Sequence, residues 1–185
     1  RQAAYAVHAL IATAALVLWR ALLTRDFSLE YVASYSSTTL STPYTIAALW
    51  GGQAGSLLFW VLILTTMSTI VHLQNHERNA ALMPYVTATL MTIAAVFLAL
   101  LVFITGPFER LPVPASEGAD LNPLLQNYWM LIHPPSLYLG YVGCAVPFAF
   151  AIAALATGRL GDVWIRTTRR WTLFAWFFLT VGNIL

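Results

Sequence analysis

Long apolar runs, separated by shorter polar segments, dominate the pattern of the chain. Each run continues for about the 20 residues that a helix needs to cross the hydrocarbon core of a bilayer. The pattern therefore predicts an all-α fold, a polytopic bundle of transmembrane helices forming a single membrane domain over residues 1–185. Four spans are predicted at about 3–23, 45–71, 82–105 and 136–157, and a fifth begins at 171–185.

The polar segments carry most of the charge, and their arginines divide unequally between the two ends of the predicted bundle. The positive-inside rule places the arginine-rich end in the cytoplasm. The arginines on that side are Arg1, Arg78, Arg159, Arg166, Arg169 and Arg170. This orientation gives inner loops at 72–81 and 158–170 and longer outer loops at 24–44 and 106–135. Because long ordered loops often carry functional residues, we expect function on the outer face.

The two outer loops contain different local patterns. In the first loop, apolar residues occupy every second position from Phe27 to Tyr35, which is typical of a short strand or extended segment. In the second loop, apolar residues recur at helical spacing from Leu121 to Ile132, after Asn122 as a possible cap. That pattern predicts a short amphipathic helix on the outer membrane surface, or one packed against neighbouring loops.

His133 is the residue of greatest chemical interest, because two prolines follow it directly. A proline disfavours helical geometry in the residue before it, so we expect His133 to end the surface helix and project from a fixed corner. An imidazole there is suited to binding haem iron, and aromatic residues supply the surface that a porphyrin needs. Those residues are Tyr128, Trp129, Tyr138 and Tyr141. The alternative is a structural histidine that packs within the loop.

Small residues form a second notable pattern in "WGGQAGSLLFW", which extends from Trp50 to Trp60. Gly51 and Gly55, and Gly52 and Ser56, are spaced as small-xxx-small pairs, and they predict close packing of another helix. A flat ligand such as haem is the alternative neighbour for this surface. A similar stripe of Ser136, Gly140 and Cys144 follows on the fourth span, where Cys144 is expected to be a small packing residue and Pro147 to kink the helix.

Composition narrows the class of protein further. With 59% hydrophobic and 9% charged residues, the chain is a membrane protein that lies in a lipid bilayer. A single cysteine excludes an internal disulfide, and a net charge of +2 without lysine argues against nucleic acid as a partner. His8, His72 and His76 belong to the inner half, too far away to share a metal with His133, and are expected to be packing or interface residues. Both ends interrupt the pattern, so we expect a longer protein.

Three stretches together resemble one known family. They are "DFSLEYVA", "WGGQAGSLLFW" and "GADLNPLLQNYWMLIHPPSLYLGYVG", and their order and spacing resemble the CcmF family of cytochrome c-type biogenesis proteins. The resemblance implies a haem lyase that takes haem from the carrier CcmE and attaches it to the CxxCH cysteines of apocytochrome c. CcmH/CcmI-type thiol-handling subunits are the other implied partners. The implied location is the periplasmic face of the bacterial inner membrane, or the equivalent face of the mitochondrial inner membrane.

The resemblance also implies specific residue roles. His133 stands at the position of the family's outer haem-ligating histidine in the HPP motif, with haem b as the substrate. The second outer histidine, the tryptophan-rich WWD segment and the histidine pair for a structural b-type haem are implied beyond Leu185, so the fragment alone is expected to be inactive. Alternatives are an NrfE-type dedicated lyase, a non-enzymatic membrane scaffold and a subunit of a redox complex.

Overall fold

The fold is a bundle of helices, seen in a computed structural model that describes residues 2–77 and 79–185. Arg1 and Arg78, which the orientation prediction used, lie outside the described residues. Within those residues the chain forms eight α-helices and two 3-10 helices, at 48–50 and 123–125. The α-helices are α1 Gln2–Thr24, α2 Glu30–Tyr35, α3 Thr42–Ala47, α4 Gln53–Asn75, α5 Met83–Phe103, α6 Tyr128–Gly143, α7 Ala145–Thr157 and α8 Val163–Ile184.

The central element is α4, which packs against α1, α5, α6 and α7. Apolar side chains fill the spaces on both sides of α4, where one cluster joins it to α1 and another joins it to α5 and α7. Four segments are long and apolar enough to cross a membrane: Gln2–Thr24, Gln53–Asn75, Met83–Phe103 and Tyr128–Thr157. The prediction of an all-α bundle with transmembrane helices is confirmed.

The second apolar run is divided, which corrects the predicted span at 45–71. Residues 42–47 form α3, residues 48–50 form a 3-10 helix, and α4 begins only at Gln53 and continues to Asn75. The division occurs at Gly51 and Gly52, where the backbone of Gly52 is extended. Apolar periodicity cannot locate such a break, because the two short helices and the start of α4 are all predominantly apolar.

The last helix also begins earlier than the hydrophobic run predicted. It starts at Val163 and includes Arg166, Arg169 and Arg170, which were assigned to the inner loop 158–170. Arginine is a good helix former, and its charge need not interrupt a helix outside the hydrocarbon. The Arg166 guanidinium lies 2.5 Å from the Asp162 carboxylate, one turn earlier, and this pair supports the first turn.

The fourth predicted span is longer than expected and consists of two nearly continuous helices. They meet at Cys144, and the break follows from Pro147, which has no N–H to donate to the carbonyl of Gly143. The helix is therefore interrupted one turn before the proline that was predicted to kink it. Cys144 itself is exposed, so its predicted role as a packing residue is wrong.

The most extensive contact among the described helices is the one between α6 and α8. A methyl group on Gly140 would lie 2.7 Å from the backbone nitrogen of Leu179, and one on Gly182 would lie 3.1 Å from the backbone nitrogen of Leu137. Glycine is thus required on both sides, since the two backbones leave no room for a side chain. The small residues predicted at 136 and 140 mark this interface.

Substituting Gly140→Ala should therefore force α6 and α8 apart. Overpacking of this kind costs about 1–3 kcal/mol, which we expect to appear as a lower midpoint of thermal unfolding in detergent. The matched control is Gly161→Ala, because a methyl group there meets nothing within 4 Å. Equal midpoints for the two variants would contradict the close packing described for α6 and α8.

Candidate functional site

The candidate site lies where the two long connections of the bundle meet. These connections, 25–52 and 104–127, are at one end, here termed the loop end. The other end carries the connections 76–82 and 158–162. The prediction of a strand over Phe27 to Tyr35 is wrong, because residues 30–35 form α2, and only an isolated bridge joins Leu29 to Arg110. Tyr31 and Val32 are both buried, a helical pattern that alternation in so short a run obscured.

Polar side chains hold the two connections together. The Glu117 carboxylate accepts hydrogen bonds from the backbone N–H and the hydroxyl of Thr38, at 2.9 and 2.5 Å. These hydrogen bonds hold the pKa of Glu117 below its ordinary value. Arg25 donates to the carbonyls of Ser37 and Leu40, both at 2.9 Å. The first connection is therefore tied to itself and to the second.

Residues 50–55, here termed the Trp50 turn, form the surface on which both connections rest. A methyl group on Gly51 would lie 2.8 Å from Leu121, a buried residue of the second connection. The faces of Gly52 and Gly55 are covered by the rings of Tyr35 and Tyr31 from α2. The neighbour of the predicted small-residue surface is therefore a short loop helix, and two tyrosines occupy the place suggested for a flat ligand.

The buried hydroxyl of Tyr31 completes the hydrogen bonding of this turn. It accepts the N–H of Gly52 at 3.1 Å and lies 2.9 Å from each of the carbonyl oxygens of Ala48 and Leu49. Burial raises the pKa of Tyr31 well above its ordinary value. Tyr31 was not predicted as a member of this site. The available signal was the pair Gly51 and Gly52, because backbone N–H and C=O groups at an interrupted helix lack helical partners and need a polar partner from elsewhere.

The predicted amphipathic surface helix does not form as a separate element. The side chain of Asn122 does cap a helix, by accepting the N–H of Leu124, but that helix is the 3-10 turn 123–125. A second asparagine, Asn127, caps Met130 and starts α6. Residues 128–132 are therefore part of the first turns of the spanning segment, and the predicted outer loop 106–135 ends at residue 127 instead.

His133, Pro134 and Pro135 lie inside α6, and the prediction that His133 ends a helix is wrong. The steric effect of a proline on the residue before it is a preference that tertiary packing can override. Pro134 has no N–H to bond the carbonyl of Met130, and the indole N–H of Trp50 donates to that carbonyl instead, at 2.9 Å. The Trp50 turn thus contacts the HPP segment directly, a link that sequence reasoning missed.

His133 is half-buried and faces an open cleft of about 320 Å³ at the end of α6. Trp129, one turn earlier, and Met130 line this cleft with Leu185 at the end of α8. Neither ring nitrogen of His133 has a hydrogen-bond partner within residues 2–77 and 79–185. The alternative of a structural histidine held by hydrogen bonds therefore has no contact to support it in this part of the chain.

Of the four aromatic residues predicted around His133, Trp129 shares its cleft and the other three do not. Tyr138 follows His133 by five residues, which turns it by about 140° around the helix. Its hydroxyl donates to Ser56 at 3.3 Å, and its ring contacts Phe59 and Trp60, with centroid distances of 6.0 and 6.1 Å. Trp129 lines the cleft, whereas Tyr128 and Tyr141 are more than 45% exposed on the surface of α6.

The three other histidines have hydrogen-bond partners. His8 lies 3.2 Å from the hydroxyl of Thr65. The Nδ1 of His72 donates to the carbonyl of Ser68 at 2.8 Å, its Nε2 lies 2.7 Å from the hydroxyl of Thr87, and His76 lies 3.2 Å from the carbonyl of His72. All three are distant from the loop end, which agrees with their predicted role in packing.

Comparison with known proteins identifies the family. The family model described as cytochrome C assembly protein matches residues 50–185, which include the Trp50 turn and the HPP segment. The chain belongs to the cytochrome c assembly protein family.

Members of this family include several curated relatives. The chain is 46% identical over 176 residues to the cytochrome c-type biogenesis protein CcmF of Escherichia coli (strain K12), covering 95% of this chain and 27% of that protein. It is 40% identical over 161 residues to the NrfE protein of Haemophilus influenzae, covering 86% of this chain and 25% of the relative. The chain therefore spans about a quarter of the length of these relatives.

A solved structure shares the fold. The structure of the cytochrome c haem lyase CcmF matches with a TM-score of 0.80 and 36% sequence identity, over 97% of this chain and 28% of that chain. A likeness of this extent covers both the helical bundle and the two connections at the loop end.

The residues at the cleft fit one axial ligand for haem iron within this family. The His133 imidazole is half-buried, has free ring nitrogens among the described residues, and lies beside an indole ring and a thioether. Around it, no three histidine, cysteine, aspartate or glutamate side chains of the described chain converge as a metal centre.

Removing the Tyr31 hydroxyl tests the organisation of the Trp50 turn. In Tyr31→Phe the buried N–H of Gly52 loses its acceptor, which should cost about 1–3 kcal/mol of stability and speed hydrogen exchange at the Gly52 amide. Tyr35→Phe is the matched control, because its ring covers Gly52 but its hydroxyl makes no hydrogen bond to the described residues. Similar effects of both substitutions would contradict the role of the Tyr31 hydroxyl.

Proposed function

We propose that this chain is the part of a cytochrome c haem lyase that holds haem at the loop end, with His133 as an axial ligand of the haem iron. The observation that carries the proposal is the His133 imidazole itself. It is the one histidine without a hydrogen-bond partner in the described chain, and it faces an open cleft. Membership of the cytochrome c assembly family supports haem as the ligand.

We assign the loop end to the outer face of the membrane, which is the periplasmic face in a bacterium. Arg159, Arg166, Arg169 and Arg170 all lie at or near the opposite end, at the start of α8 or just before it. The positive-inside rule places that end in the cytoplasm. The acidic side chains of the two long connections lie on the assigned outer side. The inner mitochondrial membrane offers the equivalent geometry.

The chemistry of a haem lyase requires positioning more than proton transfer. Each thioether forms when a cysteine S–H of the CxxCH motif adds across a vinyl group of haem, so the sulfur bonds to carbon and the hydrogen is retained. In this chain His133 fixes the haem iron, and Trp129 offers a flat apolar surface at the same cleft. Holding the substrate in one orientation raises the effective concentration of vinyl groups near the thiols.

The partners follow from the proposed reaction. The haem b substrate is expected from a CcmE-type carrier, and the acceptor is an apocytochrome c whose cysteines CcmH/CcmI-type subunits keep reduced. These proteins would approach the loop end, since the cleft beside His133 opens there. The structural b-type haem and the second outer ligand are expected in a longer protein such as the CcmF relative, of which this chain covers 27%.

Two alternatives differ in what supports them. A subunit of a redox complex would use inner histidines as haem ligands, whereas the ring nitrogens of His72 are both engaged with Ser68 and Thr87. A dedicated NrfE-type lyase is supported by the 40% identity to NrfE of Haemophilus influenzae, and it differs in the cytochrome that it serves. Attachment assays with two different apocytochromes distinguish it from a general lyase.

The optical spectrum of the full-length protein tests the proposal. We expect His133→Ala to reduce haem at the outer site by about tenfold or more, because even outer-shell partners of a metal ligand are worth 10–100-fold in affinity. His76→Ala is the matched control, since His76 lies at the other end of the bundle and should leave the Soret band unchanged. An unchanged Soret band in correctly folded His133→Ala would contradict the assignment of His133 as a ligand.

A further inference from the structure

The carbonyl of Met130 in α6 occupies an unusual position. In an α-helix this oxygen accepts the N–H of the residue four positions later, which here is Pro134. Proline has no N–H, so the helix cannot satisfy the carbonyl. Met130 is 8% exposed, which leaves little access for water. A buried carbonyl in this position requires a donor from elsewhere in the molecule.

Trp50 supplies that donor. Its indole N–H reaches the Met130 oxygen at 2.9 Å from a position 80 residues earlier in the chain. The indole is held in place by its own neighbours. The indole ring stacks on Phe59 with a centroid distance of 5.3 Å. The backbone carbonyl of Trp50 accepts a hydrogen bond from the hydroxyl of Ser56 at 3.0 Å. These contacts, which do not involve α6, hold the indole N–H of Trp50 in position to donate to α6.

A second set of contacts joins α6 to the first turns of α4, directly after the Trp50 turn. The Tyr138 hydroxyl donates to Ser56, and Phe59 lies between the rings of Trp50 and Tyr138. Tyr138 and His133 point to different sides of α6, towards α4 and towards the cleft. Through Tyr138, α4 therefore holds α6 on a side away from His133, and the bond from Trp50 to Met130 acts within one helical turn of His133.

We propose that Trp50 is a positioning residue for His133, because its indole N–H replaces the donor that Pro134 removes and so fixes the first two turns of α6. The hydrogen bond lets the HPP segment remain helical despite two prolines. The direction of the His133 imidazole then depends on a residue of the preceding connection. The consequence for haem rests on the proposed function of His133, whereas the link between Trp50 and Met130 does not.

A double-mutant cycle in the full-length protein tests this proposal. Trp50→Phe keeps an aromatic ring, although a smaller one, and removes the donor, so we expect hydrogen exchange of the amides at 131–133 to become about tenfold faster, the equivalent of one lost hydrogen bond. Pro134→Ala restores an N–H within α6. In the Pro134→Ala background, Trp50→Phe should change exchange at these amides by less than about threefold. Equal effects in both backgrounds would overturn the proposal.

The haem spectrum provides the second readout of the same cycle. Trp50→Phe should shift or broaden the Soret band of outer-site haem, and Pro134→Ala should restore it. The matched control is Trp19→Phe, because Trp19 donates its indole N–H to a backbone carbonyl of a different element, that of Ile46 at 3.1 Å. Trp19→Phe should alter neither the exchange of α6 nor the Soret band, and an equal effect would overturn the assignment to Trp50.

The cycle also separates this inference from the proposed function. Coupling between Trp50 and Pro134 in hydrogen exchange supports the positioning role, even if His133→Ala leaves the haem spectrum unchanged and so removes His133 as a ligand. Loss of outer haem in His133→Ala without coupling between Trp50 and Pro134 overturns the positioning role alone.

Discussion

The loop end of the molecule depends on satisfying backbone polar groups where the helices are interrupted. In a bilayer an irregular turn or a proline-containing helix has few waters to bond, so protein groups must replace them. Two side chains provide such hydrogen bonds at the loop end. The Tyr31 hydroxyl bonds the backbone of the Trp50 turn, and the Trp50 indole bonds the α6 carbonyl that Pro134 leaves free. Each interruption is thereby stabilised by an aromatic residue with a polar tip.

These two bonds explain why the connections are ordered around the HPP segment. The glycines of the Trp50 turn admit the rings of α2 on one side and Leu121 of the second connection on another. The same turn then reaches α6 through Trp50. A chain of contacts therefore extends from the first connection to the helix that carries His133, and the cleft itself is lined by residues from two parts of the sequence, 125–134 and Leu185.

The hydrophobic pattern was sufficient to predict the helical spans, because their length is set by the bilayer and their composition by lipid contact. It was insufficient where a local preference competes with a tertiary partner. The alternation of apolar and polar residues from Phe27 to Tyr35 predicted a strand. Tyr31 and Val32 are both buried, however, and residues 30–35 form a helix. The prolines after His133 read as a helix end, because nothing in the local sequence reveals that Trp50 would supply the missing donor.

The candidate site was predictable only in part, for the same physical reason. His133 stands out in the sequence from its residue type and its prolines, and the structure gives it a cleft. The surrounding aromatic residues were grouped by nearness in sequence, whereas rotation along a helix sends Tyr138 towards α4 and leaves Trp129 beside His133. Proximity along a helix is a poor guide to shared surface unless the spacing is three or four residues.

Chemical rescue is the most direct test of the central claim that the His133 imidazole binds haem iron. In the full-length protein, His133→Gly should lose the Soret band of outer-site haem, and added imidazole should restore it by entering the space that the side chain leaves. A structural histidine would not be replaced by a free ring. Failure of imidazole to restore a lost band, or a band that is never lost, would contradict the claim.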